Sequence, residues 1–190
     1  MPENKVQFNL KNVHYAKQTV ADGVASFAKP VAVPGAVSLS LTPQGEQTKF
    51  YADGVVYYQT VSNNGYSGDL EMARFPDQML KDIWGYTEGE TSKVLTENAN
   101  VEPAVFALLF QIDGDADNAN YVLYACTGTR PSISSKTNTN NTKDPQTMSS
   151  TISADPMANG NVMARTTEET PTDVKSGWFN TVFVEGAAGA

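Results

Sequence analysis

Val105-Phe106-Ala107-Leu108-Leu109-Phe110-Gln111-Ile112 is apolar on both faces when read with the two-residue period of a strand. A strand of that kind needs cover on both sides, so it belongs at the centre of a sheet. Asp113-Gly114-Asp115-Ala116-Asp117-Asn118 follows as a turn, and Tyr121 to Cys126 returns as the hairpin partner. Working outward, strand signals dominate. Val6, Phe8 and Leu10 alternate with Gln7, Asn9 and Lys11, and Val37, Leu39 and Leu41 alternate with Ser38 and Ser40. Between them, Ala16 to Gly35 is small-residue sequence with Pro30 and Pro34, and predicts a loop with short extended pieces.

Thr42-Pro43-Gln44-Gly45 and Asn63-Asn64-Gly65 mark turns. Between these turns, Glu46 to Tyr51 and Val55 to Val61 flank Ala52-Asp53-Gly54, the strongest short hairpin signal in the chain. Tyr66, Leu70 and Met72 then share one strand face, with Ser67, Asp69, Glu71 and Ala73 on the other. One helix is signalled, over 76–85. Pro76 begins it, Met79, Leu80, Ile83 and Trp84 form one apolar stripe, and Gly85 stops it. So short a helix is marginal alone and must dock its stripe on a sheet. Thr127 to Lys143 is Ser/Thr/Asn-rich and predicts a long exposed loop. Thr147 to Ala154, Val162 to Thr167 and Trp178 to Val184 are the last strand candidates, and 186–190 reads as a flexible tail.

The expected fold is mainly β: eight to ten short strands in a β-sandwich or partial barrel with one flanking α-helix, extended terminal arms and long loops. The expected division is a single domain over 1–190, with an N-terminal arm and linker at 1–35 and the sandwich at 36–185. Hydrophobic residues make up 40% and charged residues 18%, so the chain has core to bury and too little charge for a disordered protein. The net charge of −8 repels phosphate backbones, which argues against gripping nucleic acid and allows DNA to slide past without binding. Met1 to Lys5 leads into no apolar segment of the secretory type, and Ala104 to Phe110 is too short to span a bilayer. The expectation is synthesis in a cytoplasm and no membrane partner.

The search for reaction chemistry returns plain readings. His14, the only histidine, lies at a strand end with no marked nucleophile, no G-x-S-x-G elbow and no phosphate loop in the chain. Asp113, Asp115 and Asp117 have calcium-loop spacing. Asn118 and Tyr124 stand where that loop needs Gly and Glu, so an acidic turn is the favoured reading over a weak metal site at 113–117. Asp69 and Glu71 share a strand face as a solvated pair and do not oppose one another across a cleft. Cys126, the only cysteine, reads as a small buried hydrophobe, and Trp84 and Trp178 as core or interface anchors. Asn140-Asn141-Thr142 fits a glycosylation sequon with nothing to route the chain to that pathway. No cofactor and no enzymatic activity are expected.

Polar residues spread along loops, an N-terminal strand-like arm and an aromatic C-terminal segment point to a protein whose surface is its function. Their order resembles the major tail proteins of siphophages of Gram-positive hosts. The resemblance spans nearly the whole chain. It rests on the run Phe8 to Ala16, on Pro34 to Leu41, and on Phe50-Tyr51-Ala52-Asp53-Gly54. Gly68-Asp69-Leu70-Glu71, Phe75 to Gly85, Pro103 to Leu108 and Trp178-Phe179 continue it. No single motif is specific; the order and spacing carry it. The resemblance implies a structural virion protein of the phage tail. Its copies close into six-fold rings that stack into the tail tube, the conduit for genome ejection. Tape measure, terminator and baseplate proteins would be its other partners. It implies interface regions in the arm Pro2 to Thr19, the hairpin around Asp53-Gly54 and the segment from Trp178. The residues expected there are Phe8, Leu10, Tyr15, Phe50, Tyr51, Asp53, Gly54, Trp178 and Phe179. Strands with one polar face are assigned to an acidic lumen: Ser67, Asp69 and Glu71, or Thr147, Ser149, Thr151 and Ser153. Competing readings are a related terminator or baseplate ring, a carbohydrate-binding sandwich using Tyr57, Tyr58 and Tyr66, and a hydrolase dependent on His14.

Overall fold

The computed structural model describes residues 4–138 and 144–185. The 186–190 tail, the Asn140 sequon and the end of the 127–143 loop (139–143) lie outside the described residues. In chain order the strands begin with β1 (Gln7–Ala21), β2 (Val24–Phe27), β3 (Val31–Ala32), β4 (Ala36–Pro43), β5 (Gln47–Ala52), β6 (Val55–Val61) and β7 (Tyr66–Met72). After helix α1 (Asp77–Trp84) come β8 (Thr87–Glu88), β9 (Leu95–Thr96), β10 (Phe106–Gly114), β11 (Ala119–Gly128), β12 (Met148–Asp155) and β13 (Met163–Arg165). Helix α2 (Thr172–Gly177) is last.

The main antiparallel sheet runs β2-β1-β10-β11-β12-β7-β4, with β13 added to β11 and β3 to β1. β1 and β4 lie near opposite ends of this order yet come into contact, so the sheet curls towards closure. They share no ladder pairing among the described residues, which leaves a partial barrel with a seam. The mainly β, partial-barrel expectation describes this chain.

The doubly apolar strand explains the two layers. Phe106, Leu108 and Phe110 of β10 enter one core cluster, and Ala107 and Leu109 enter the other. The first cluster fills the interior of the curled sheet with Leu70, Met72, Ile152 and Leu123, and α1 docks there through Met79, Ile83 and Trp84. Each of those three side chains contributes about 1.5–3 kcal/mol on full burial, which no isolated eight-residue helix supplies from its backbone. Pro76 caps the helix in extended backbone, and Gly85 ends it at φ 67°.

The C-terminal chain covers the opposite face, in a form the sequence reading missed. The alternation over Trp178 to Val184 predicts a strand, whereas the structure has α2 followed by turns. Trp178 and Val182, four residues apart, are the buried pair, with the Trp178 ring stacked on Phe183 at 5.4 Å. Both phases of the alternation contain apolar residues, so the strand period was ambiguous, and Pro171-Thr172-Asp173 was the overlooked helix start.

The N-terminal region is also corrected. Residues 4–35 are not a free arm and linker, and 16–35, expected as a loop with short extended pieces, holds the end of β1 and all of β2 and β3. β1 is a fifteen-residue strand paired with β10, and Val13, Tyr15, Ala16 and Val33 are core. Two bulges, beside Asn9 and Asn12 at φ 65° and 50°, break its alternation and hid its length.

β5 and β6 form their own two-stranded sheet, outside the main one. They continue the β4–β7 ladder through a joint: Gln44 N–H donates to Gly65 O at 2.8 Å, Asn64 N–H to Gln44 O at 2.8 Å, and Ser62 N–H to Glu46 O at 2.9 Å.

Candidate assembly surfaces

The β5–β6 hairpin is turned by Asp53 and Gly54, both at positive φ (52° and 78°), which is the two-residue turn that matches strand twist. Every residue from Val55 to Val61 is exposed. Phe50, Tyr51, Tyr57 and Tyr58 are 58%, 60%, 74% and 60% exposed, and Val55, Val56 and Val61 join them. Four aromatic side chains exposed to that degree present roughly 400–600 Å² of surface. With the valines the total approaches roughly 800 Å², the share of one partner in a standard interface. A monomer seldom leaves that much apolar area in water.

The seam between β1 and β4 opens into a groove of about 510 Å³. Its walls are Phe8 and Leu10 on one side and Leu39 and Leu41 on the other, over a floor of Phe110 and Ile112. Phe8 is 54% exposed there. Of the expected interface residues, Phe8, Phe50, Tyr51, Asp53 and Gly54 therefore stand on open surface, and Leu10 is half-buried beside the core. Tyr15 and Trp178 do not. Tyr15 is 2% exposed, and its hydroxyl donates to Asp82 of α1 at 2.6 Å. Burial and that carboxylate push its pKa well above the usual tyrosine range. Trp178 is 3% exposed and donates its indole N–H to the Tyr121 carbonyl at 3.2 Å. Both are anchors of the chain's own core. Phe179 is half-buried and lies 4.8 Å from the His14 ring.

The third surface joins the two groups of lumen candidates. β12, β7 and β4 are adjacent, with Ser149 opposite Glu71 and Thr151 opposite Asp69, and with Ser38 and Ser40 opposite the same two carboxylates on the other flank. Ladder partners share a face, so Ser67, Asp69, Glu71, Ser149, Thr151 and Ser153 form one polar field with Ser38 and Ser40. Thr147 at the start of β12 and Ser38 both donate to Glu71, and Thr151 donates to Asp69 at 2.7 Å. The Thr147 and Ser38 hydroxyls hold the Glu71 carboxyl below its ordinary range.

The remaining candidates resolve into structure. Asp113, Asp115 and Asp117 each meet separate internal donors. Lys11 and Asn9 engage Asp113, the Lys5 and Val6 N–H groups engage Asp115, and Lys175 engages Asp117. The Asn4 side chain caps the turn, accepting from Ala116 and Asp117 N–H at 2.8 and 2.9 Å. Among the described residues no group of three or more His, Cys, Asp or Glu stands together to hold a metal. Ring nitrogen Nδ1 of His14 lies 2.7 Å from the Asn12 carbonyl oxygen. Cys126 is fully buried, and burial pushes its thiol up to about 12. Tyr57 and Tyr58 stand exposed on the hairpin, while Tyr66 is half-buried and packs against the core. Among the described residues no helix is long and apolar enough to cross a membrane. No known family model matches the chain, and no curated protein matches it.

Proposed function

We propose that this chain is a structural subunit that assembles with copies of itself into closed rings stacked as a tube, of the phage tail type, through which a genome passes. The observation that carries the reading is the detached β5–β6 hairpin. It exposes apolar side chains on both strands and is tied to the body by main-chain hydrogen bonds at the joint of 44–46 and 62–65. Cover for such a surface comes from another molecule. Two further features support the reading. The sheet ends in unpaired margins at β4 and β2, the edges that ring closure with neighbouring copies would complete. The field around Asp69 and Glu71 is hydroxyl-rich and acidic, the character of a wall past which DNA moves without sticking. The six-fold ring number, the tape measure, terminator and baseplate partners and the place in the virion rest on the resemblance.

Negative-stain microscopy of purified protein across a concentration series tests the proposal. Tubes with a central channel are expected on concentration. A population that stays monomeric at every concentration sinks it, and a single closed ring that never stacks favours a tail terminator.

A further inference from the structure

We propose that the aromatic hairpin of one copy seats in the β1–β4 seam groove of a neighbouring copy. This inference rests on the self-assembly reading and names the receptor surface for it. Three observations converge on that pairing. First, the hairpin has apolar area to bury and the groove has room for its side chains. The hairpin offers roughly 800 Å² of apolar surface, one partner's share of a stable interface. The groove, at about 510 Å³, falls among concave sites that enclose side chains. Second, the charge matches. The chain carries net charge −8, so most of its surfaces repel their copies. Over 47–61 the hairpin has only Lys49 and Asp53, the latter at the turn. The groove lining, from Gln7 and Phe8 through Leu39, Leu41 and Tyr66 to Met163, contains no charged residue. These two surfaces meet without like-charge repulsion. Third, the hairpin does not fill its own groove: none of residues 47–61 lines it. Both surfaces are open in the single chain, with Phe8 54% and Met163 37% exposed.

Donor and acceptor are different surfaces of one molecule, so the contact is heterologous. It propagates from copy to copy and does not close a two-fold dimer. The seam is also an edge. Among the described residues the N-terminal half of β1 has a ladder partner only in β10 and β4 only in β7, so the other edge of each can offer a visiting strand hydrogen bonds as well as apolar contact.

Single-cysteine variants separate the possibilities, because the only native thiol, Cys126, is buried and silent. Phe8→Cys and Tyr58→Cys replace exposed residues and leave the core intact. Under assembling conditions a short bis-maleimide is expected to join the two variants when mixed and to join neither variant to itself. Charge swaps give an independent readout. Phe8→Asp and Tyr58→Lys are each expected to raise the concentration needed for assembly about tenfold, and mixing the two variants restores part of the loss through the opposite charges. Tubes that form with no cross-link between the mixed variants overturn the groove assignment and leave the assembly reading intact. Cross-linking of Tyr58→Cys to itself as efficiently as in the mixture overturns it in favour of hairpin-on-hairpin contact. Wild-type protein that never assembles removes both proposals together.

Discussion

The β10–β11 hairpin and the β5–β6 hairpin are both apolar, both antiparallel and both closed by turns containing Asp, yet one is the centre of the fold and the other is outside it. From Phe106 to Phe110 no residue is more than 4% exposed, because α1 and the interior of the curled sheet take one face and the C-terminal segment takes the other. From Val55 to Val61 every residue is exposed, and among the described residues β5 and β6 pair in a ladder only with each other. Apolar content does not decide burial. The presence of a second layer does, and the chain supplies layers for one such hairpin and leaves the other exposed.

The comparison breaks most visibly in the core. Leu109→Ala is expected to cost about 2–5 kcal/mol in urea unfolding, whereas Tyr58→Ala stays within about 0.5 kcal/mol for the dilute monomer while weakening assembly. Equal costs at the two sites would mean that the β5–β6 hairpin packs on its own body. Next in size, Trp84→Phe and Trp178→Phe each strand a β11 carbonyl, of Gly128 and Tyr121, and are expected to lose about 1–3 kcal/mol by the same measurement. Similar losses for both would show that the two covers of β11 matter alike.

Gly54→Ala tests the exposed turn alone. Gly54 sits at φ 78° with no atom near the position of an added Cβ, so the cost is conformational, about 1 kcal/mol. Amide exchange should quicken over 47–61 and stay unchanged in β10 and β11. The smallest effect is acid sensitivity of the covered turn. Lys11, with Asn9, holds the Asp113 carboxyl below its ordinary range. A depressed folded pKa gives stability that is complete above the unfolded value, near pH 4, and fades as pH falls through the folded one. Amide exchange at the Asp113–Asn118 turn is expected to rise below about pH 4, and Asp113→Asn should flatten that dependence. A rise of the same size at the Asp53-Gly54 turn would mean global unfolding.

Much of this contrast is visible in the sequence. The two-faced run at 105–112, the Asp53-Gly54 turn and the Pro76 to Gly85 helix follow from period and punctuation, and those features report local chemistry. Which hairpin receives cover is a long-range fact and left no local trace. The length of β1 was hidden because Asn9 and Asn12 bulge it out of register and small residues follow. The signal that would have found its return strand is Asp22-Gly23, the same dipeptide that marked the other hairpin. Among the assembly surfaces, the hairpin and the polar face were legible from alternation. The groove was not, because its walls, Phe8 and Leu39, are neighbours only through the curl of the sheet.

The joint between the β4–β7 ladder and the hairpin is made of main chain. A Cβ placed on Gly65 would fall 1.9 Å from the Ala154 carbonyl oxygen, so no larger residue fits there without a shift of backbone. The direction in which the hairpin leaves the body is set by the main-chain hydrogen bonds at Gln44, Ser62 and Asn64. In any array of copies that aim repeats at every subunit, and an error of a few degrees accumulates along the array as helical twist. The geometry of a long assembly would thus be written into half a dozen backbone atoms, and residues 44–46 and 62–65 are where a change too small to disturb one molecule would alter the pitch of thousands.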